Sequence, residues 1–235
     1  MMIGPIERKR YPEQIAARVQ EKILKENLPN GYCLPTERQF AQELGVSRAV
    51  VREALRILDT SGFITIKKGP RGGVFVNHAQ HKALSRSLDQ MASCGIVTVD
   101  HLFDVRLQIE PFIGAEATRH ATDGDLASLS ALMADAARHC DDPAYLKQTN
   151  IEFHLLLGRI SGNPVLSLVM QSITDILLKI AYHFLDPSFE KEIFKVHSDI
   201  AEMIGKGKPE EVRRMIKKDI LLVKKNLKRC VEKGE

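Results

Sequence analysis

The residues whose types and spacing most clearly suggest chemistry are three arginines, Arg48, Arg52 and Arg56. They lie four residues apart, and on a helix this spacing keeps their side chains on one face. The opposite face of the same stretch, between residues 50 and 58, is apolar at helical spacing. An arginine can donate two hydrogen bonds to a guanine in the major groove of DNA. A helix with one buried face and one arginine face is therefore a candidate for binding in that groove.

Two further pairs have helical spacing in the second half of the chain, Arg106 with Glu110 and Asn150 with His154. Residues four apart lie on the same side of a helix, so the members of each pair can act together. The arginine and glutamate indicate an intrahelical salt bridge. Imidazole is a frequent metal ligand, whereas the oxygen of an amide is a weak and neutral one. From spacing alone, a hydrogen-bonded histidine in the protein core is the better interpretation of His154.

The net charge of the chain is +4, and the excess positive charge is concentrated in its first third. Residues 1–77 hold 13 lysines and arginines against 8 acidic residues, whereas residues 78–235 hold 21 against 22. This asymmetry indicates that the N-terminal part binds a polyanion. A length of 235 residues with a hydrophobic content of 44% suffices for one large or two modest domains that bury a core.

Cysteine spacing and hydropathy bear on the compartment. The four cysteines are widely separated and include no CxxC pair, which argues against a thiolate zinc site or a redox motif. The N-terminus has no apolar core of the kind that a signal peptide needs. The longest apolar stretch, residues 176–185, is interrupted by Lys179 and His183 and is too short to span a bilayer. We expect a cytoplasmic protein with reduced thiols and no membrane partner.

The arginine helix must be positioned by the elements before it. Apolar residues at helical spacing predict a first helix over residues 12–26. Thr36 and Gln39 have the spacing of a capping box at the start of a second helix, and Gly45 supplies the left-handed residue that ends it. Ser47 is then the N-cap of the arginine helix, which is predicted to end near Gly62.

A short hairpin follows, with strands predicted over residues 63–67 and 74–76 and a glycine-rich turn between them. This order of elements is that of a winged helix-turn-helix. The stretch LPTERQFAQELGVSRAVVREALRILDTSGFI, followed by GPRGGVFV, resembles the DNA-binding domain of the GntR family of bacterial transcription regulators. The resemblance covers residues 10–77 without a gap.

The resemblance implies that residues of both turn helices and of the wing contact DNA. Ser47 is expected on a phosphate, and the small Ala49 lets the helix approach the bases. The wing tip is expected in the minor groove. The expected DNA-binding residues are Arg38, Ser47, Arg48, Ala49, Arg52, Lys68, Gly69 and Arg71. Arg56 could instead pair with Glu53 or Asp59, and we expect Glu53 to hold a contact between helices.

The rest of the chain is predicted to be helical. Residues 78–97 mix polar and small apolar side chains and predict a linker with a short helix. Beyond it, turn residues punctuate six helical segments, and the short loops favour antiparallel packing. The predicted helices span residues 99–121, 125–140, 143–161, 164–185, 188–205 and 209–231. We expect a mainly α fold, with a winged helix-turn-helix and its small β-hairpin wing over residues 1–77 and an all-α antiparallel bundle over residues 98–235.

The bundle resembles the FCD effector-binding domain of the FadR-like branch of the same family. The resemblance rests on the segments VRLQIEP (105–111), NIEFH (150–154) and SGNPVL (161–166), together with His197 and Asp219. It implies a regulator that responds to a small ligand and binds a pseudo-palindromic operator as a homodimer.

The same resemblance implies a divalent metal site formed by Asn150, His154, His197 and Asp219. The family has Asp, His, His and His at these positions, so Asn150 and Asp219 both depart from the pattern. The charge lost on one helix returns on another, and two imidazoles with one carboxylate suit Zn²⁺, Ni²⁺, Mn²⁺ or Fe²⁺. The alternative is a pocket without metal, in which the two histidines are hydrogen-bonded core residues.

Arg106 and Glu110 are the expected ligand-binding residues, because in the family the arginine that matches Arg106 lies near the pocket and can hold a ligand carboxylate. A metal and a guanidinium together favour a small organic acid as the effector. One alternative is a helical metalloenzyme, but no GxSxG, HExxH or glycine-rich phosphate loop occurs, so we expect no enzyme. Another is an architectural DNA-binding protein without effector, which a fully packed core would support and a pocket on the order of several hundred Å³ would oppose.

Overall fold

The computed structural model describes residues 11–69, 72–79, 81–181 and 184–233. The chain divides into two compact units, Met1–Ala83 and Leu84–Glu235. The boundary falls inside a helix, His81–Ser93, within the segment that was predicted as a linker with a short helix. The fold is mainly helical with a small antiparallel sheet, as predicted.

The described part of the N-terminal unit combines three helices with a small sheet. In chain order its elements are α1 (Tyr11–Lys25), β1 (Cys33–Leu34), α2 (Glu37–Leu44), α3 (Arg48–Thr60), β2 (Ile64–Lys67) and β3 (Gly73–Val76). Strand β3 lies between β1 and β2 and is antiparallel to both, with Leu34 opposite Val74 and Ile64 opposite Val76. The hairpin of β2 and β3 was predicted. The third strand, β1, was not, because the sequence there reads as a connector.

The capping residues predicted from the sequence fix the ends of α2 and α3 and the turn between them. The Thr36 hydroxyl oxygen accepts a hydrogen bond from the Gln39 amide at 3.3 Å, and the Gln39 side chain accepts one from the Thr36 amide at 2.8 Å. Gly45 ends α2 with φ at 64°, in the left-handed region that costs glycine little. The Ser47 hydroxyl accepts from the Val50 amide at 3.4 Å and starts α3. These local bonds fix where α3 begins, and hence which residues lie in its exposed first turns.

The core of this unit forms between α1, α3 and the sheet, and α1 packs against α3. Burying one apolar face of each helix leaves the opposite face of α3, with its arginines, in solvent. The least exposed core residues are Ile23, Val51, Ala54, Leu55, Leu58, Ile64 and Val76.

The described part of the C-terminal unit is a helical bundle. Its helices are α4 (His81–Ser93), of which the first three residues belong to the N-terminal unit, α5 (Val99–His120), α6 (Asp123–Arg138), α7 (Pro143–Ile160), α8 (Pro164–Ala181), α9 (Pro187–Gly205) and α10 (Pro209–Lys233). Helix α7 is central, since it packs against α5, α6, α8 and α9, while α5 and α10 pack closely together. Among the described residues, no helix is both long and apolar enough to cross a membrane.

The six predicted bundle helices are present, but α8 is shorter than predicted. It ends at Ala181, and residues 184–186 are not helical. The side chain of Asp186 accepts hydrogen bonds from the amides of Ser188 and Phe189 and caps α9, which begins at Pro187. A residue before proline is disfavoured in a helical conformation, so the chain must leave the helix before this point.

Candidate functional site

The predicted DNA-contacting residues lie on exposed parts of the N-terminal unit. Arg38 is on α2, Ser47 caps α3, and Arg48, Ala49 and Arg52 occupy the first turns of α3, all of them exposed. The wing residues Lys68 and Gly69 follow β2 and are also exposed, whereas Arg71 lies outside the described residues. A capped helix that presents arginines from its first turns is the geometry with which recognition helices reach base edges.

Two of the three α3 arginines are paired with glutamates. Arg52 donates from Nε and Nη2 to Glu37 at the start of α2, with the Nη2 contact at 2.9 Å. The hydrogen bond from Arg52, with further help from the charges of Arg48 and Arg56, lowers the pKa of Glu37. Arg56 donates to Glu53 of the same helix at 2.8 Å. The predicted pairing of Arg56 with Glu53 is thus present, and the ion pair that joins the two helices is made by Glu37 instead.

A second candidate site lies inside the C-terminal bundle, where four helices bring polar residues together. Arg106 and Glu110 come from α5, His154 from α7, His197 from α9 and Asp219 from α10. None of the five has more than 8% of its surface exposed. The spacing of Arg106 and Glu110 indicated a salt bridge, and the structure places that pair in the core beside the two histidines.

Glu110 is the carboxylate that joins the arginine to the first histidine. Arg106 donates to it from Nε and also from Nη2, the latter at 3.2 Å. The oxygen that accepts from Nη2, Oε2, also lies 2.8 Å from His154 Nδ1. A carboxylate at Nδ1 fixes the orientation of the imidazole and directs its Nε2 towards the next group.

Three of the four metal ligands expected from the resemblance, His154, His197 and Asp219, lie close together. Asp219 Oδ2 lies 3.4 Å from His154 Nε2 and 3.5 Å from His197 Nε2. One ligand atom from each of the three residues falls within 4.8 Å of the other two. The ring of Phe153 stacks on His197 with centroids 4.3 Å apart and helps to fix its plane.

The converging atoms are buried and lack hydrogen-bond partners among the described residues. They are Nε2 of both histidines and both carboxylate oxygens of Asp219. Buried polar atoms are almost always paired with protein or water, since leaving them unpaired is costly. The donor set of two imidazoles and one carboxylate is one that divalent transition metals accept.

Burial and neighbouring charges act in opposite directions on the acids of this cluster. Burial alone would raise the pKa of Glu110, but the charges of Arg106 and His154 outweigh it and lower that pKa to about 2. The pKa of Asp219 is likewise held well below its usual value despite burial, by the contacts of its carboxylate with the imidazoles of His197 and His154. Both carboxyl groups are therefore ionised.

The two histidines differ. Burial would lower the pKa of His154, but the charge of Glu110 and the contact with Asp219 outweigh it and raise the pKa to about 9. For His197 burial prevails and its pKa is lowered. Without metal, the cations Arg106 and His154 thus balance two carboxylates.

A cavity of about 50 Å³ adjoins the cluster and has room for one or two water molecules. Its polar lining comes from Arg106, Lys147, Asn150, His154 and Thr174. Asn150, the fourth expected metal ligand, is therefore at the cavity wall on the same face of α7 as His154. The volume is much smaller than that of an ordinary ligand pocket.

One buried ion pair was not found from the sequence. Lys147 Nζ lies 2.5 Å from Glu190 Oε1, and both side chains are almost fully buried. Lys147 is three residues before Asn150 and seven before His154, so helical spacing could have placed it at the cavity. Its partner on α9 could not have been identified, because that contact depends on how two helices pack.

Comparison with known proteins agrees with both halves of this description. Residues 12–76 match the family of bacterial regulatory proteins named gntR, and residues 101–221 match the FCD domain. The chain is 26% identical over 218 residues to the HTH-type transcriptional repressor NanR of Salmonella newport, covering 90% of this chain and 83% of NanR.

Two solved structures show the same fold. A GntR protein of Streptococcus agalactiae is 28% identical, with a TM-score of 0.63 over 91% of this chain and 99% of its own. Escherichia coli McbR/YncC is 19% identical, with a TM-score of 0.51 over 94% of this chain and 99% of its own. The chain belongs to the GntR family of bacterial transcription regulators, which are not enzymes, and it joins a winged helix-turn-helix that binds operator DNA to an FCD domain that binds small effectors.

Proposed function

We propose that this protein binds a pseudo-palindromic operator as a homodimer in the bacterial cytoplasm, and that a small organic acid bound with a divalent metal in the FCD domain controls that binding. The observation that carries the DNA half is the exposed arginine face of α3, which the Ser47 cap and Gly45 turn fix in place. The observation that carries the effector half is the set of buried atoms of His154, His197 and Asp219 that converge without hydrogen-bond partners.

In the proposed complex α3 lies in the major groove and the wing follows the minor groove. Arg48 and Arg52 are close enough to the start of α3 to reach base edges, and the methyl group of Ala49 is too small to hold the helix away. The proposed DNA contacts are Arg38, Ser47, Arg48, Ala49, Arg52, Lys68, Gly69 and Arg71. A dimer would read two half-sites about 34 Å apart or a small multiple of that distance.

The test of the DNA half is Arg52→Ala, measured by fluorescence anisotropy on an operator duplex selected from a random pool. We expect operator affinity to fall by about tenfold or more, because one bidentate contact to guanine contributes about 1–3 kcal/mol of discrimination and a dimer would lose one in each half-site. Arg56→Ala is the matched control, since this arginine is on the same helix but pairs with Glu53. Unchanged affinity of Arg52→Ala, with the protein folded, would refute the assignment.

The spacing of the buried ligand atoms supports the metal. Two ligands each about 2.1 Å from a tetrahedral ion lie roughly 3.4 Å apart, and the Asp219 oxygen lies 3.4 and 3.5 Å from the two imidazole nitrogens. The Glu110–His154 contact is the carboxylate–histidine arrangement that usually orients a metal-binding imidazole. Asn150 would be the weakest member of the set, so metal affinity should be lower than with four strong ligands.

The charge balance supports an anionic effector. A bound divalent ion requires His154 to be neutral, which leaves the cluster of Arg106, Glu110, Asp219 and the ion with one net positive charge. A carboxylate would neutralise it, and Arg106 with Glu110 would set its orientation at the cavity wall. Because the cavity is about 50 Å³, the acid must also bind a more open arrangement of the side chains.

The effector half is tested by metal analysis of protein purified without a histidine tag, followed by thermal unfolding with Zn²⁺, Ni²⁺ or Mn²⁺ and a series of small carboxylates. We expect stabilisation by metal, further stabilisation by an acid, and loss of both in Asp219→Ala. Less than about one-tenth equivalent of metal together with no thermal shift would refute the metal site.

The small cavity also favours a second candidate, an architectural DNA-binding protein without effector. In that case operator binding would persist, but no metal or carboxylate would change either the unfolding temperature or the operator affinity. The same titrations therefore decide between the two functions.

A further inference from the structure

Glu37 forms a hydrogen-bonded ion pair across the helix-turn-helix. It is the first residue of α2, directly after the Thr36 cap, and it accepts three hydrogen bonds from Arg52 of α3. Arg52 Nε lies 3.1 and 3.2 Å from the two carboxylate oxygens, and Nη2 lies 2.9 Å from Oε2. The Glu37 side chain is 28% exposed and that of Arg52 is 49% exposed.

The contact uses one edge of the guanidinium and leaves another free. A guanidinium has five N–H donors in a planar fork, and Nε with Nη2 forms its side edge. Glu37 binds that side edge. The end of the fork, formed by Nη1 and the second hydrogen of Nη2, is the edge that can donate to O6 and N7 of a guanine. Arg52 can therefore bind Glu37 and a base at the same time.

Glu37 is also well anchored. The capping box of Thr36 and Gln39 fixes the backbone at the start of α2, and a carboxylate in the first turn is favoured by the positive end of the helix dipole. Arg52, in contrast, has a long side chain with many rotamers of similar energy. Holding it in one rotamer before DNA arrives removes part of the ordering cost of binding.

We propose that Glu37 is a positioning residue for operator reading, which holds the Arg52 guanidinium side-on so that its free end meets a guanine in the major groove. This inference rests on the proposed function in one respect, the contact of Arg52 with the operator. Glu37 itself touches no base.

The proposal predicts an effect opposite to that of simple electrostatics. Glu37 is an anion whose pKa is lowered by Arg52 and by the nearby charges of Arg48 and Arg56. Removing such an anion from a DNA-binding face should strengthen binding to any duplex, because repulsion from the phosphates is relieved. If Glu37 positions Arg52, its removal instead weakens binding to the operator while binding to unrelated DNA increases.

The experiment measures the affinities of Glu37→Ala, Glu37→Gln and the wild type for two duplexes, the operator and one with the guanines of its half-sites replaced. Glu53→Ala is the matched control, because Glu53 is an exposed glutamate of the same helix-turn-helix that pairs with Arg56 and not with Arg52. We expect the ratio of the two affinities to fall about tenfold in Glu37→Ala, less in Glu37→Gln, and to stay within about twofold in Glu53→Ala.

A double variant separates positioning from stability. In the Arg52→Ala background, Glu37→Ala should no longer change the affinity ratio, because there is no guanidinium left to orient. A purely structural role would lower binding to both duplexes equally, and thermal unfolding of each variant would show it; that result overturns the inference. Should Glu37→Ala fail to fold, Glu37→Gln provides the test, and an unchanged affinity ratio in that variant would also overturn the inference.

The outcomes also distinguish this inference from the function on which it rests. An unchanged ratio in Glu37→Ala and Glu37→Gln, with operator affinity lowered in Arg52→Ala, would overturn the positioning role alone. Unchanged operator affinity in Arg52→Ala would overturn the assignment of Arg52 and, with it, the inference about Glu37.

Discussion

At the scale of single residues, the buried cluster depends on Glu110, which holds two cations at once. Arg106 and His154 both contact its carboxylate, and all three side chains are in the protein core. Removing one member of a buried ion pair leaves the other charge without compensation, which costs far more than loss of an exposed pair. The stability of the bundle should therefore respond strongly to this position.

We predict that Glu110→Gln lowers the free energy of unfolding by about 3 kcal/mol or more, measured by urea denaturation with a chelator present. The amide keeps the size of the side chain but cannot balance the charge of Arg106. Glu116→Gln on the same helix is the control, because its partner Arg119 is well exposed, and it should cost less than about 1 kcal/mol. Equal losses in the two variants would contradict a special role for Glu110.

The sequence predicted which residues would form the cluster better than how they would pair. Resemblance identified His154, His197 and Asp219, and helical spacing joined Arg106 to Glu110. The contact of Glu110 with His154 joins two helices, and spacing within one helix carries no information about it. The Arg52–Glu37 contact was missed for the same reason, since its partners are 15 residues apart on different helices.

At the scale of secondary-structure elements, the sequence correctly predicted the ends of an element wherever residues close in sequence fix them. The capping residues at the start of α2 and the left-handed glycine at its end form as the sequence indicates. Strand β1 was missed because it is only two residues long and pairs with β3, about forty residues further along the chain. Gly114, within α5, is a similar case, because the residues that require a glycine there lie on another helix, α10.

Gly114 allows α5 and α10 to approach each other closely. A Cβ atom at this position would lie 2.1 Å from Ile216 Cδ1 and 3.1 Å from Val212 Cγ1. We predict that Gly114→Ala destabilises the bundle by about 1–3 kcal/mol through overpacking. Ile216→Val removes the clashing methyl group and should cost about 0.5–1.5 kcal/mol alone. The double variant should therefore lose less unfolding free energy than the sum of the losses in the two single variants.

Thermal and urea unfolding of the three variants provides the test, as a double-mutant cycle. Gly205→Ala is the control, because nothing lies within 4 Å of a Cβ there and its backbone is not left-handed. That change should be neutral or stabilise the protein by up to about 1 kcal/mol. If the losses of unfolding free energy in the two single variants simply add in the double variant, the side chain of Ile216 is not what opposes a Cβ atom at position 114.

At the scale of the whole molecule, α4 is the element through which a signal could travel. It begins in the N-terminal unit and continues into the C-terminal unit, where it is bonded to α8. Ser85 donates to Asp175 at 2.7 Å, and Lys179 Nζ lies 2.7 Å from Asp89 Oδ2. The two α8 residues are four apart, so they lie on one face and contact α4 at two successive turns.

The neighbours of these α8 residues line the cavity beside the candidate metal site. Thr174 precedes Asp175 and Leu178 precedes Lys179, and both contribute to the cavity wall. A ligand that enlarges the cavity must displace part of this wall. The displacement would be transmitted to α4 if the bonds between the two helices stay intact.

We therefore predict that Asp175→Ala reduces the effect of the effector site on DNA without removing either function. The measured quantity is the ratio of operator affinities with and without saturating Zn²⁺ and carboxylate, which for coupled sites typically corresponds to about 1–3 kcal/mol. In Asp175→Ala this ratio should move towards one, while metal affinity and metal-free operator affinity stay within about twofold of wild type. Asp141→Ala is the control, since it removes only an exposed pair with Lys191 in the same unit. A full response in Asp175→Ala would show that the signal leaves the bundle by another route, because the bond to α4 would then carry none of the coupling free energy.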